Sequence, residues 1–170
     1  EKIVETPVIC NFLYRRCGDA ETLDENRQRQ HEMVNSLCQN DFNIQLSLLI
    51  WVEFSHPGTD LTVQVQSVFQ RLSGLLTRLE EALEDWGWWQ DYKSRPIMMA
   101  DCAIWQQLWV IDHLFGPAAK LESLPKLHDF FQTCKHRNQF EHYIGQHRLQ
   151  LTGWPGEPPA IERIRNVLNG

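Results

Sequence analysis

The clearest pattern along the chain is a three/four spacing of apolar residues between positions 60 and 86. This spacing is typical of an amphipathic helix that buries one face, and it continues over about five turns. The apolar positions of the predicted helix are Val65, Val68, Phe69, Leu72, Leu75, Leu76, Leu79 and Leu83. The pattern therefore predicts one long helix in this segment.

A second helical pattern precedes this one. Thr22 and Glu25 have the spacing of a capping box, in which two side chains satisfy amide protons at a helix start. The pattern weakens past Asn40, where Asn-Asp-Phe-Asn predicts a bend or an interruption. The buried face of the helix is predicted to carry Val34, Cys38, Phe42, Leu49 and Val52.

A turn is predicted at His56-Pro57-Gly58-Thr59, between the two long helices. Thr59 or Asp60 can cap the second of them, because their side-chain oxygens accept amide protons of its first turn. Since the connection is short, we expect the two helices to pack as an antiparallel hairpin.

Shorter elements follow the hairpin. The spacing predicts helices over Met99 to Phe115, which Gly116-Pro117 ends, over Pro125 to Lys135 and over Gln139 to His147. A Pro/Gly-rich stretch then leads to a short tail helix from about Ala160. The strand signal is limited to a stub at Lys2 to Glu5, so the predicted class is all-α.

The architecture expected from this order is an antiparallel bundle of five or more helices. The helix from Met99 to Phe115 should lie at its centre, because it has apolar or aromatic residues on nearly every side. Burial of Ile104, Leu108 and Ile111 is the corresponding expectation.

Composition narrows the class of protein. The chain has 170 residues, 42% of them hydrophobic and 22% charged, which suits one domain with a sizeable core. Its formal charge of −6, without a Lys/Arg cluster, argues against a nucleic-acid partner.

Five scattered cysteines indicate reduced thiols and a cytoplasmic location. The longest apolar run, residues 46–52, is too short to span a membrane.

Motifs for metal or phosphate chemistry are missing. His142 and His147 are five residues apart, so they do not share a helix face, and no set of histidines and cysteines has zinc spacing. We therefore expect no metal. The carboxylate pairs at Glu80-Glu81 and Glu84-Asp85 are interpreted as a solvated helix face rather than acid/base groups.

Two segments resemble a known family. The first, VETPVICNFLYRR, resembles the junction of the last strand and third helix in the glutathione-binding half of glutathione S-transferases. The resemblance implies that Glu5 and Thr6 bind the γ-glutamyl carboxylate of glutathione, and free amides at a helix start do favour an anion. Alternatively, Thr6 merely caps a helix with Pro7 at its first position.

The second segment, RPIMMADCAIWQQLWVIDHL, is similar to the stretch that opens the buried helix of the family's C-terminal domain. There a hydroxyl residue and an Asp three positions later form a capping box. Asp101 keeps the acidic half, whereas Met98 replaces the hydroxyl residue. Ile97 and Cys102 have the spacing of a hydrophobic staple. We interpret Asp101 as a structural cap rather than a catalytic group.

The resemblance implies two parts. Residues 1–20 would be a remnant of the thioredoxin-like, glutathione-binding half, and residues 21–170 the C-terminal helical domain with an extended tail. The family's catalytic Tyr, Ser or Cys ends the first strand, which would precede Glu1, so the chain as written lacks it. Glutathione would be a substrate, and Trp105 and Trp154 are candidates for the pocket that binds the electrophile. Each of the two tryptophans could equally serve packing.

Two functions remain open at this point. The full-length protein would conjugate glutathione to small electrophiles, or the helical part would be a non-catalytic module for protein association, as a homodimer or in a larger assembly. The cluster of Trp86, Trp88 and Trp89 favours an additional interface. Alternatively, these rings close the end of the bundle.

Overall fold

The computed structural model of the protein describes residues 24–55, 60–90, 92–95, 97–137 and 159–169, without the side chains of 50–55 and 159–161. The strand stub from Lys2, the turn from His56 to Thr59 and the helix from Gln139 to His147 lie outside the described residues. They stay predictions.

All regular structure in the described part of the chain is helical, which confirms the all-α class there. The elements are α1 (Glu25–Ser36), a π-helix (Leu37–Phe42), α2 (Asn43–Ser55), α3 (Thr62–Asp85), a 3-10 turn (Trp88–Gln90), α4 (Met99–Phe115), two further 3-10 turns (Gly116–Ala119 and Leu121–Ser123), α5 (Pro125–Lys135) and α6 (Pro159–Asn169). The predicted bounds of α4 and α5 are confirmed, and the tail helix begins one residue before Ala160.

The first helical segment is continuous, because a π-helix joins α1 to α2 where the sequence predicted a bend. Its buried apolar residues are Val34, Cys38, Phe42, Leu46 and Leu49. Most neighbouring residues in this buried stripe are four positions apart. On an α-helix of 3.6 residues per turn, each interval of four positions would rotate the stripe by about 40° around the helix. A π-helix bonds residue i to i+5 and holds more residues per turn. The wider turns therefore keep the stripe facing the core.

The start of α1 lies near the end of α3. A guanidinium nitrogen of Arg27 is 3.4 Å from the carbonyl oxygen of Trp86, the residue that ends α3. The end of α2 is joined to the start of α3 by a short connection, and these two helices also contact each other. The predicted antiparallel hairpin is therefore confirmed.

The start of α3 uses one of the two predicted caps. The Asp60 carboxylate accepts a hydrogen bond from the Thr62 amide at 2.9 Å. At the start of α1, Asp24 rather than Thr22 is the N-cap residue, and its carboxylate accepts the Arg27 amide at 2.8 Å.

Helix α4 lies at the centre of the described structure. It contacts α1, the π-helix, α5 and α6. Ile104, Leu108 and Ile111 are at most 1% exposed, as predicted. Complete burial stabilises side chains of this size by about 1.5–3 kcal/mol each.

The start of α5 is capped by a side chain from α3. The Glu80 carboxylate lies 3.4 Å from the Lys126 amide and 3.2 Å from the Leu127 amide. Lys126 also forms an ion pair with Glu84. The carboxylates that the sequence placed on a solvated face therefore include two that join α3 to α5.

Helix α4 ends at Gly116, which has φ 56° and ψ −138°. Residues other than glycine rarely adopt this backbone conformation, because they carry a Cβ atom. Arg165 of α6 donates to the carbonyl oxygen of His113. A Cβ added to Gly116 would also lie 3.6 Å from the Arg165 side chain.

We expect Gly116→Ala to lower the free energy of unfolding by about 1–3 kcal/mol, because alanine disfavours this backbone conformation. Gly74→Ala is the matched control: it lies inside α3, and apart from its chain neighbours and the backbone of its own helix no atom is within 4 Å of the added Cβ. This control should stabilise the protein by about 0.5–1 kcal/mol through its higher helix propensity. Urea unfolding of both variants measures the difference, and equal effects would contradict the assigned conformation of Gly116.

Candidate functional site

The predicted ligand-binding residues fall in different parts of the chain. Glu5, Thr6 and Trp154 lie outside the described residues, so their roles stay predictions. Trp105 is 4% exposed, and its ring centroid lies 6.2 Å from that of Phe131. In the described structure Trp105 is therefore a core residue, and its role in an electrophile pocket stays a prediction.

The tryptophans near position 88 pack inward. Trp88 is fully buried, and Trp86 and Trp89 are partly buried against the core. The Trp89 ring lies 5.9 Å from that of Tyr92 and 5.8 Å from that of Phe130, in each case between ring centroids. These contacts are those expected if the rings close the end of the bundle.

The start of α4 has the predicted carboxylate cap. Asp101 occupies the third helical position, and its Oδ2 accepts a hydrogen bond from the Met98 amide at 2.8 Å. A methionine sulfur is only a weak acceptor, so the stronger half of the capping box is the half that Asp101 contributes. In the described structure Asp101 therefore caps the start of α4.

The Asp101 carboxylate does more than cap α4. Arg95 binds it in a bidentate manner, with Nη1 at 2.5 Å from Oδ2 and Nη2 at 2.9 Å from Oδ1. The indole nitrogen of Trp88 donates to Oδ1 at 3.1 Å. With the Met98 amide, four donors bind one carboxylate, which fills its acceptor capacity. The side chains of Arg95 and Asp101 are only 10% and 2% exposed, so this is a buried ion pair.

Helix α1 contacts this group through Arg27 and His31, which both lie against the Trp88 ring. The guanidinium carbon of Arg27 lies 4.9 Å from the Trp88 ring centroid, and that of Arg95 lies 5.4 Å from it. Both distances are within the range of cation–π attraction. The His31 ring centroid is 5.0 Å from that of Trp88. We call Arg27, His31, Trp88, Arg95 and Asp101 together the Asp101 cluster.

His31 has an unusual protonation equilibrium in this cluster. Its burial lowers its pKa to about 4, because desolvation disfavours the imidazolium. The Asp101 carboxylate opposes this shift, whereas the two guanidiniums add to it. His31 is therefore neutral at pH 7.

The loop that carries Arg95 is held by α5 and the residues that follow it. The hydroxyl of Tyr92 donates to the Asp129 carboxylate at 2.5 Å, and Lys93 pairs with the same carboxylate at 2.8 Å. The Arg137 guanidinium donates to the carbonyl oxygens of Tyr92 at 3.3 Å and Arg95 at 2.9 Å. These bonds fix the backbone from which Arg95 reaches Asp101.

The chemistry open to the described residues is limited by burial. Burial raises the pKa of the Cys38 and Cys134 thiols to about 12 in each case, so neither thiol supplies a thiolate at neutral pH. The described residues contain no group of three or more His, Cys, Asp or Glu side chains that could hold a metal ion. None of the described helices is long and apolar enough to cross a membrane.

Sequence reasoning singled out Asp101 as a helix cap and Trp88 as part of a tryptophan cluster, but it did not predict that the two residues contact each other. Arg95 and Trp88 lie outside the long helices, where the spacing of apolar residues predicts no contact. His31 is one polar residue on a helix whose apolar stripe begins at Val34. The resemblance pointed to Asp101 alone, because its motif starts at the capping box.

Comparison of the sequence with protein-family models and with curated proteins found no match. The roles argued for the residues of the Asp101 cluster therefore rest on the contacts described above.

We expect Asp101→Ala to lower the free energy of unfolding by about 3–5 kcal/mol, because it leaves Arg95 buried without its partner. Asp24→Ala is the matched control, since Asp24 caps α1 with one exposed hydrogen bond. Loss of that cap alone should cost about 0.5–2 kcal/mol. Chemical unfolding of the two variants compares them, and similar values would mean that Asp101 acts only as a cap.

Proposed function

We propose that the chain is the C-terminal helical part of a glutathione S-transferase-like protein, which in its full-length form conjugates glutathione to small electrophiles. The observation that carries this proposal is the start of α4. There a buried central helix begins in the segment IMMAD, and Asp101 accepts the Met98 amide as the resemblance implied.

The arrangement of the other helices supports the same proposal. An antiparallel pair, α1–α2 with α3, comes before the buried helix α4. Helix α5 begins at Pro125, in the segment LPKLHDFF that resembles a helix start of the family. The tail helix α6 contacts α3 and α4.

The proposed chemistry divides between the described helices and residues outside them. Glu5 and Thr6 would anchor the γ-glutamyl carboxylate, while Trp105 and Trp154 would contribute to the electrophile pocket. The group that activates the glutathione thiol would be a Tyr, Ser or Cys on a first strand ahead of Glu1. Neither Cys38 nor Cys134 replaces it, because burial keeps both thiols protonated.

A second candidate function is protein association. Met33 on α1 and Ile44 and Leu48 on α2 are 57%, 56% and 43% exposed, although all three are large and apolar. Ile44 and Leu48 are four residues apart on one helix and share a face. Exposed apolar faces of this kind mark interaction surfaces when they are contiguous. Under this reading the helical part would form a homodimer or join a larger protein assembly without catalysis.

The first test compares the full-length protein with its Thr6→Val variant by calorimetric titration of glutathione. We expect saturable binding by the full-length protein and about tenfold weaker binding by the variant, because one hydrogen bond to a charged carboxylate is worth about 1.5 kcal/mol. Thr77→Val, at an exposed threonine of α3, is the matched control and should bind like the wild type. Wild-type affinity for the Thr6 variant would refute the carboxylate anchor.

We expect residues 1–170 alone to show neither saturable glutathione binding nor conjugation to a chlorinated nitrobenzene. The few hydrogen bonds that the Glu5-Thr6 corner offers do not offset the cost of immobilising a flexible tripeptide. Calorimetry and a conjugation assay on the purified chain measure both properties. If the full-length protein also lacks binding and turnover while it sediments as a defined oligomer, the association function replaces the enzymatic one.

A further inference from the structure

Neither capping nor ion pairing nor a hydrogen bond to Asp101 explains why His31 belongs to the Asp101 cluster. Its side chain lies in the interior, since the residue is only 6% exposed. Its Nε2 atom is buried and has no hydrogen-bond partner among the described residues. A buried polar atom without a partner is rare in a folded protein and calls for an explanation.

Three charged groups act on His31. Arg27 belongs to its own helix, one turn earlier. Arg95 comes from the loop before α4, and Asp101 from α4 itself. The single carboxylate among them already accepts four hydrogen bonds, from Arg95, Trp88 and the Met98 amide. It therefore has no lone pair left for His31.

Protonation of His31 would disturb this arrangement in two ways. An imidazolium carries a proton on both ring nitrogens, so its Nε2 is necessarily a buried donor without an acceptor among the described residues. The ring would also be a third cation beside Trp88, next to the guanidiniums of Arg27 and Arg95. The closed arrangement therefore accommodates only the neutral ring.

We propose that the contact of His31 with Trp88 is an acid-sensitive latch, which holds α1 against the start of α4 and opens when the imidazole ring is protonated. Opening moves the His31 ring away from Arg95 and into water, where an imidazolium is solvated. The latch is independent of glutathione and therefore goes beyond the proposed function.

The direction of the pH effect follows from linkage. In the closed state the pKa of His31 is about 4, because of burial, whereas in an opened state it returns to its ordinary value of 6.5. Between these values the open state binds more protons, so acid favours opening. The latch is fully closed above about pH 7 and weakens progressively as the pH falls from 6.5 toward 4.

Hydrogen exchange of the α1 amides, corrected for intrinsic rates, tests the latch at about pH 7 and about pH 5. We expect wild-type protection in α1 to fall about tenfold between these conditions. His31→Gln should show little change, because glutamine does not titrate. His136→Gln, at an exposed histidine beside α5, is the matched control and should behave like the wild type. An equal loss of protection in His31→Gln, or no loss in the wild type, would overturn the proposal.

A direct titration covers the case in which His31→Gln does not fold. The ring-proton shifts of His31, followed by NMR in the wild-type protein, should give a midpoint below about pH 5. The His136 ring supplies the comparison in the same sample. A His31 midpoint near its ordinary value of 6.5 would mean that the closed structure tolerates the imidazolium, and the latch would be refuted.

Discussion

The four hydrogen bonds to the Asp101 carboxylate are the constraint on which the rest of the described structure depends. A buried charge is stable only when it is paired and its hydrogen bonds are satisfied, and here the donors come from the backbone before α4, from Arg95 and from Trp88. The start of the central helix, the loop before it and the indole of Trp88 are therefore held in one geometry. Helix α1 is held in the same geometry, because the Arg27 guanidinium packs over the Trp88 indole.

This constraint links the fold to both proposed properties. The buried cap is the observation on which the proposed glutathione S-transferase-like function rests, and α4, which it starts, contacts both α1 and α5. Because the Asp101 carboxylate already accepts four hydrogen bonds, it offers no acceptor to a protonated His31 beside it. Because every acceptor site of Asp101 is used, the Asp101 cluster is sensitive to a change in the protonation state of His31.

The sequence predicted the helices well where local signals agree. Gly116-Pro117 and Pro125 mark the end of α4 and the start of α5, and both bounds matched the structure. The π-helix was not predicted. The buried apolar residues in this part of the chain recur every four positions from Val34, and this spacing looks like an imperfect α-helical pattern. The pattern of apolar residues still identified most of the buried face.

The Asp101 cluster was harder to predict, because its partners meet only in three dimensions. Arg95 is six residues from Asp101 and lies in a loop, where no periodicity relates the two side chains. His31 precedes Asp101 by 70 positions, and the sequence around His31 does not indicate that it is buried against Trp88. Glu80 similarly belongs to a charged pair on α3, yet it caps α5. Contacts of this kind depend on how whole helices pack.

The central claim is that Arg95 and Asp101 form one interdependent buried unit, and a double-mutant cycle tests it most directly. The free energies of unfolding of the wild type, Arg95→Met, Asp101→Leu and the double variant give the coupling between the two side chains. The account predicts a coupling of about 2 kcal/mol or more, with the double variant less destabilised than the sum of the single variants, because neither charge is then left buried alone. Additive effects would contradict it.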